Sequence, residues 1–239
     1  MPTKLMEYFY APPENISPHS LNIDGEEFSH LTHVMRKKEG DRFCVVNGVG
    51  MAYDVELSET TKKKAVCRIL EHHDRLHEPD IDVTLAFGLL KSGSNIDFLI
   101  EKCTELGVNT FVPLLTERTI PQHARVDRWQ KLALAAMKQS GRCVLPKVRD
   151  VAEFSEFVST VPVSAMRYIP HEQITSPSLS RNADDDRTKE IVICIGPEGG
   201  FSDAEVGTAT THGFVPVTLG TRRLRTETAA ILACGLVLS

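Results

Sequence analysis

The chain has 239 residues, 41% of them apolar and 25% charged, and its 27 Lys and Arg against 32 Asp and Glu give a formal charge of −5. That composition belongs to soluble globular domains and excludes a chain that is disordered throughout. The longest apolar runs, 83–90 and 229–238, fall short of the roughly 20 residues a membrane-crossing helix needs. The start of the chain lacks the apolar core of a signal peptide, so a cytoplasmic location is expected.

At roughly 100 to 200 residues per domain, one large or two small domains are expected. The six cysteines, at 44, 67, 103, 143, 194 and 234, are widely spaced and form no C-x2-C pair, so they read as reduced, mostly buried thiols. His72, His73 and His77 fall in a charged stretch that reads as a surface connector, and no metal is expected there.

That connector divides the chain, giving expected domains at 1–76 and 77–239. Before it, Arg42 to Val49, Met51 to Leu57 and Ala65 to Leu70 are short β-rich runs around an Asn-Gly turn, the pattern of a small antiparallel sheet or barrel. One short helix is expected near His30 to Lys38. After the connector, strands and helices alternate, as in a mainly parallel sheet covered on both faces.

Val83 to Leu90 reads as a buried strand. Ser94 can cap a helix with Asp97, and Ile96, Leu99, Ile100, Cys103 and Leu106 form its apolar face up to Gly107. Next come a strand at Thr110 to Leu115, a helix at Asp127 to Ser140 and a strand at Pro162 to Ile169. Ser176 to Lys189, with its acidic run, reads as a polar loop. A strand at Ile191 to Ile195, a helix at Asp203 to His212, a strand at Phe214 to Leu219 and a helix at Thr226 to Leu238 complete the chain.

Two strand-to-helix junctions carry candidate chemistry. Gly196-Pro197-Glu198-Gly199-Gly200 follows an apolar strand and precedes a capping box, Ser202 and Glu205. Such a loop lies where open α/β sheets bind ligands, and its glycines let backbone approach a ligand closely; a tight turn needing positive φ would use the same residues. The second junction, Leu219 to Thr228, places Arg222, Arg223 and Arg225 beside a helix amino terminus, where the dipole prefers anions. Either a binding role or a solvated basic loop accounts for them. From Arg118 to Arg149 there are eight basic residues against one acid, Asp127, which suits either a phosphate-binding stripe or a solvated face. Trp129, at helical spacing with Leu132 and Met137, reads as core. A G-x-G-x-x-G fingerprint, a P-loop and a serine elbow are absent.

The two junctions resemble the cofactor-loop motifs of the RsmE-like small-subunit rRNA uridine-N3 methyltransferases of the SPOUT superfamily. Leu90 to Gly93, Ile100 to Val108, Pro113 to Arg118, Arg128-Trp129, Gln139 to Arg142 and Pro146 are similar to further stretches of that family, and His33 to Arg36 is similar to part of its amino-terminal domain. Lys138 departs from the family's usual Glu, and Glu7-Tyr8 from an arginine pair.

The resemblance implies an α/β fold: a SPOUT-type, trefoil-knotted parallel-sheet domain at 77–239, preceded by a small PUA-like β-barrel RNA-binding domain at 1–76. It implies S-adenosyl-L-methionine held by Ile169, Ile195, Gly196, Pro197, Gly199, Gly200, Leu219, Gly220, Leu224 and Thr226. It implies a homodimer, and the all-round apolar last helix is the expected interface. The expected reaction is attack of uracil N3 on the sulfonium methyl. Arg225 is expected at the carbonyl oxygens and Glu198 at proton acceptance or orientation, with Glu227 a weaker candidate whose other role is to complement the helix dipole. Arg36, Arg118, Arg125, Arg142 and Arg222 are expected to meet RNA, either free small-subunit rRNA or the assembled subunit. A SPOUT transferase with another target atom and a non-catalytic ribosome-assembly protein are the alternatives.

Overall fold

The computed structural model describes residues 7–121, 123–179 and 189–238. The acidic run Asp184 to Asp186 lies outside the described residues. The chain forms two compact units: the described residues up to Glu78 together with Leu134–Leu145, and Pro79–Ala133 together with the described residues from Pro146 onward.

In the first unit, β1 (Tyr8–Tyr10), β2 (Ser20–Asp24), β3 (Arg42–Val46), β4 (Met51–Thr60) and β5 (Lys64–Asp74) form one sheet in the order β1-β3-β4-β5-β2. All pairs are antiparallel except β1 with β3. Successive side chains of a strand face opposite ways. Phe43 and Val45 therefore join Phe9, Leu21, Val55 and Leu57 on one face, while Cys44 and Val46 meet Met137 and Cys143 on the other. Both faces of β3 are thus dry, which is why its sequence does not alternate. All six cysteines are free and buried, and burial pushes the Cys44 and Cys67 thiols up to about 12.

The helical segment lies earlier than the sequence suggests: α1 (Gly25–Ser29) runs into a π-helical turn, His30–Val34. Phe28 and the fully buried Leu31 anchor it, whereas Val34 is 64% exposed and the backbone leaves the helix at Arg36, where φ is +52°. The histidines also move. β5 runs to Asp74, so His72 and His73 are strand residues rather than connector, and His73 Nε2 lies 3.1 Å from Asp54 Oδ2 on β4.

The expectation that Arg142 meets RNA is corrected. Its side chain is 2% exposed and that of Glu78 is fully buried; Arg142 Nη2 donates to Glu78 Oε2 at 2.7 Å. Glu78 Oε1 also accepts from the amides of Cys143 and Val144, at 2.8 and 2.9 Å. A guanidinium so enclosed is not available to a phosphate. Lys138 is likewise taken, by Glu27.

In the second unit, β6 (Asp82–Gly88), β7 (Thr110–Leu115), β8 (Lys147–Val148), β9 (Ala152–Glu153), β10 (Met166–Pro170), β11 (Glu190–Ile195) and β12 (Val215–Val217) form a wholly parallel sheet. Its order is β12-β10-β11-β6-β7-β8, with β9 also on β7. The helices are α2 (Gly93–Leu106), α3 (Val126–Ser140), α4 (Phe154–Thr160), α5 (Asp203–Thr211) and α6 (Thr226–Leu238). One sheet face packs Ala86, Val192 and Cys194 against Phe154, Phe157 and Ala209 of α4 and α5. On the other, Phe87 meets Trp129 edge-on at 6.1 Å, so Trp129 is core. There α6 packs against α2, β6 and β11, with the buried Cys103 of α2 and Cys234 of α6 side by side.

Two local readings also shift. Ser92, not Ser94, precedes α2, and its hydroxyl meets that of Ser94 at 2.8 Å instead of capping the helix. Asp97 is held by Arg128, Nη2 to Oδ2 at 2.6 Å. Gly107, at φ +119°, ends α2 as expected.

Candidate active site

Parallel strands deliver their carboxyl ends to one edge, and the loops after β10, β11 and β12 there enclose a cavity of about 500 Å³. That volume lies within the usual range for small-molecule sites. The β10 loop contributes Pro170 to Glu172, the β11 loop Ile195 to Glu198 with Gly200 and Phe201, and the stretch after β12 Thr218 to Gly220 and Arg222 to Glu227; Asn95 of α2 and Ala229 of α6 complete the wall.

The glycine loop is fixed from several sides. A Cβ on Gly88 would fall 2.5 Å from the Pro197 ring, so the end of β6 passes the loop only as glycine. Thr226 Oγ1 donates to Gly196 O at 3.0 Å. The Lys91 amide donates to Glu198 Oε1 at 2.9 Å, and Arg118 Nη1 to Gly199 O at 2.7 Å. Glu205 closes the expected capping box: its carboxylate accepts from the amides of Ser202 and Glu117, both at 2.8 Å, while its own amide donates to Ser202 Oγ. Gly200 sits at φ +69° with nothing within 4 Å of its would-be Cβ, leaving space for a ligand against backbone.

Most sequence-predicted residues converge here. Ile195, Gly196, Pro197, Glu198, Gly200, Leu219, Gly220, Arg222, Leu224, Arg225 and Thr226 all line the cavity. Ile169 does not; it is fully buried in the core beneath, and Pro170 takes the wall position. Gly199 faces away, against the Arg118 side chain. Arg222 and Arg225 are exposed and have no ion pair among the described residues, whereas Arg223 reaches Glu172 at 3.5 Å. Arg118 and Arg125 are exposed residues of this unit, and Arg36 is exposed in the first.

Glu227, the weaker acidic candidate in the sequence, also reaches this wall. It is 9% exposed, lines the cavity and has no side-chain partner among the described residues. Its one sequence signal is position: an acid just inside a helix that starts at a ligand-facing loop. The one grouping of metal-ligand residues among the described residues, Asp54, Glu71 and His73, belongs to the first unit and not to this cavity.

Comparison with known proteins matches this architecture. A family profile described as an RNA methyltransferase domain covers residues 77–238, and one described as an RNA methyltransferase PUA domain covers 23–70. Ribosomal RNA small subunit methyltransferase E of Synechocystis is 35% identical over 92% of this chain and 73% of its own length, and the Bacillus subtilis protein of the same name 32% identical over 90% and 88%. The crystal structure of the Neisseria gonorrhoeae enzyme of that name, bound to S-adenosyl methionine, superposes with a TM-score of 0.83 at 32% identity, covering 96% of this chain and 95% of that one. On the strength of a profile spanning its whole second unit and of relatives matched along almost its full length, this chain belongs to the ribosomal RNA small subunit methyltransferase E family.

Proposed function

We propose that this protein transfers a methyl group from S-adenosylmethionine to N3 of a specific uridine in small-subunit ribosomal RNA. The observation that carries the reading is the cavity itself: about 500 Å³, walled by the backbone of three strand-end loops, with carboxylates and two arginines, Arg222 and Arg225, that have no ion pair among the described residues. The cofactor fits its chemistry. Open space beside Gly200 and the amides of 196–200 suit an elongated polar ligand, and Ile195, Pro197, Leu219 and Leu224 supply apolar wall. When bound, S-adenosylmethionine supplies an electrophilic methyl on a sulfonium.

The protein's own groups do the rest. Gly196, Gly200, Gly220 and Thr226 hold the ligand by close backbone approach, while Ile169 and Gly199 act from behind the wall. Arg225 donates to the uracil carbonyl oxygens as charge spreads onto them. A carboxylate on the cavity wall accepts the N3 proton, Glu198 and Glu227 being the two candidates that line it. The target base enters extruded or single-stranded, and Arg36, Arg125 and Arg222 hold RNA backbone. The division at 76/77 into an RNA-binding PUA-like domain and a methyltransferase domain follows the same reading. So does a trefoil knot: β11 lies between β10 and β6, and the segment entering α6 is tied to the glycine loop through Thr226 and Gly196. A cytoplasmic homodimer is the form we propose, formed through α6, whose Leu232 and Leu236 are each 37% exposed, with Phe98 of α2 exposed in the same unit.

Incubating the purified protein with labelled cofactor and small-subunit RNA or subunits, then digesting to nucleosides, should give N3-methyluridine. Label on another base or on ribose would overturn the target. Gly196→Val should abolish cofactor binding by calorimetry in a folded protein, because its Cβ already falls 3.0 Å from the Gly200 backbone. Arg125→Glu with Arg222→Glu should weaken RNA binding and flatten its log–log salt dependence by about 0.7 per lost phosphate contact. Leu232→Asp should dissociate the dimer, and a fully active monomer would contradict the interface.

A further inference from the structure

We infer that Glu227, rather than Glu198, takes the proton from uracil N3. The assignment rests on the uridine-N3 reading above and identifies its base. Two glutamates compete for the role on the same cavity wall, and their surroundings differ. Glu198 is exposed and its Oε1 accepts the Lys91 amide at 2.9 Å, a bond that ties the glycine loop to the end of β6 and occupies the carboxylate in holding it there. Glu227 is 9% exposed, lines the cavity, and has no side-chain partner among the described residues. Its carboxylate oxygens are not sealed inside the protein but open to the cavity, so they are free to bond what enters.

Glu227 does not cap its helix, and complementing the α6 dipole from the first turn leaves both its oxygens free to bond a ligand. Glu205, in the first turn of α5, shows what capping looks like: both its carboxylate oxygens accept backbone amides. Glu227, in the first turn of α6, makes no such bond. The other charged or titratable groups on the wall are engaged or cationic. Glu172 reaches Arg223, the His171 ring accepts the Gln173 amide, and Arg222 and Arg225 carry no acceptor.

The step balances. The N3 proton passes to a Glu227 oxygen, the N3 electron pair forms the new N–C bond, and the pair of the breaking S–C bond stays on sulfur, leaving a neutral thioether. Arg225, two residues upstream, meets the oxygens on which negative charge would otherwise build.

The test is the pH–rate profile of single-turnover methylation, with calorimetry of S-adenosylmethionine binding, for wild type, Glu227→Gln, Glu227→Asp and Glu198→Gln. Glu227→Gln should lose about 10²-fold or more near neutrality and recover about tenfold per pH unit as N3 ionises unaided, with cofactor affinity kept. Glu227→Asp should be slower than wild type but keep its flatter profile. Glu198→Gln should be slowed with the wild-type profile and weakened cofactor binding, as loss of a loop tether requires. A Glu227→Gln enzyme matching wild type at every pH, a loss equal at every pH, or a loss explained by failed cofactor binding would overturn the assignment. So would the steep profile appearing in Glu198→Gln instead. If wild type itself makes no N3-methyluridine, the underlying reading fails, and that result is distinct from all of these.

Discussion

Glu78 in the first unit, with a fully buried side chain, and Glu227 in the second, a residue 9% exposed, carry carboxylates whose surroundings have little in common. Glu78 is saturated: the Arg142 guanidinium forks onto it, and two amides fill Oε1. Glu227 has a cavity on one side and no protein donor among the described residues on it. A buried charge whose bonds are all made inside the protein holds structure together, and removing one partner strands the other. A carboxylate whose oxygens open to a cavity makes no bond that folding requires.

The comparison predicts its largest effect at the saturated site. Glu78→Ala leaves Arg142 buried without its anion and the Cys143 and Val144 amides without acceptors, so it should destabilise the first unit by about 3–5 kcal/mol, read as a fall in the urea midpoint. A variant as stable as wild type would show that the pair is solvated in solution. Arg225→Ala probes the open site. It should lower methyl-transfer turnover by roughly 10² to 10³ with little change in cofactor affinity, the usual loss for one donor to a developing oxyanion. A parallel fall in both would instead make Arg225 part of the cofactor cradle.

Alkaline pH gives a smaller, distributed effect in the first unit. Burial first, then the nearby Glu78 charge, pushes the Cys143 thiol up to about 11, and Cys44 and Cys67 lie at about 12 against an ordinary 9.0. Unfolded thiols ionise first as pH rises through 9, which favours the unfolded chain. Stability is therefore complete below pH 9 and lost progressively toward 11 to 12. Unfolding midpoints at pH 8 and 10.5 should show the drop, reduced in Cys44→Ala.

How much of this was legible in the sequence follows from which interactions are local. The parallel-sheet strands announced themselves because strands buried on both faces read as apolar runs, and Ser202 with Glu205 announced a helix start that the structure closes with the expected bonds. The glycine loop and the Leu219 to Thr226 stretch were found for the same reason: turn chemistry is short-range. α4 went unread although Phe154, Phe157 and Val158 carry helical spacing, because seven residues give the period little room. β8 and β9, two residues each, carry no period at all. Arg142 was misassigned because its partner lies 64 positions away, and a charge run says nothing about what folds onto it. Glu227 could not be ranked from the sequence for the converse reason: its low exposure and its lack of a side-chain partner among the described residues are facts of tertiary structure.

The smallest expected effect separates the two glutamates most cleanly. Glu78→Gln keeps the shape but removes the charge facing a buried guanidinium, so most of the loss seen with alanine should remain. Glu227→Gln removes a charge that makes no side-chain bond among the described residues and gains only the α6 dipole, so its cost to folding should lie within about 1 kcal/mol of zero. Urea midpoints of the two glutamine variants, measured side by side without cofactor, decide it. If Glu227→Gln destabilises as much as Glu78→Gln, then Glu227 has a donor in solution, and the open carboxylate at the cavity wall is a structural group after all.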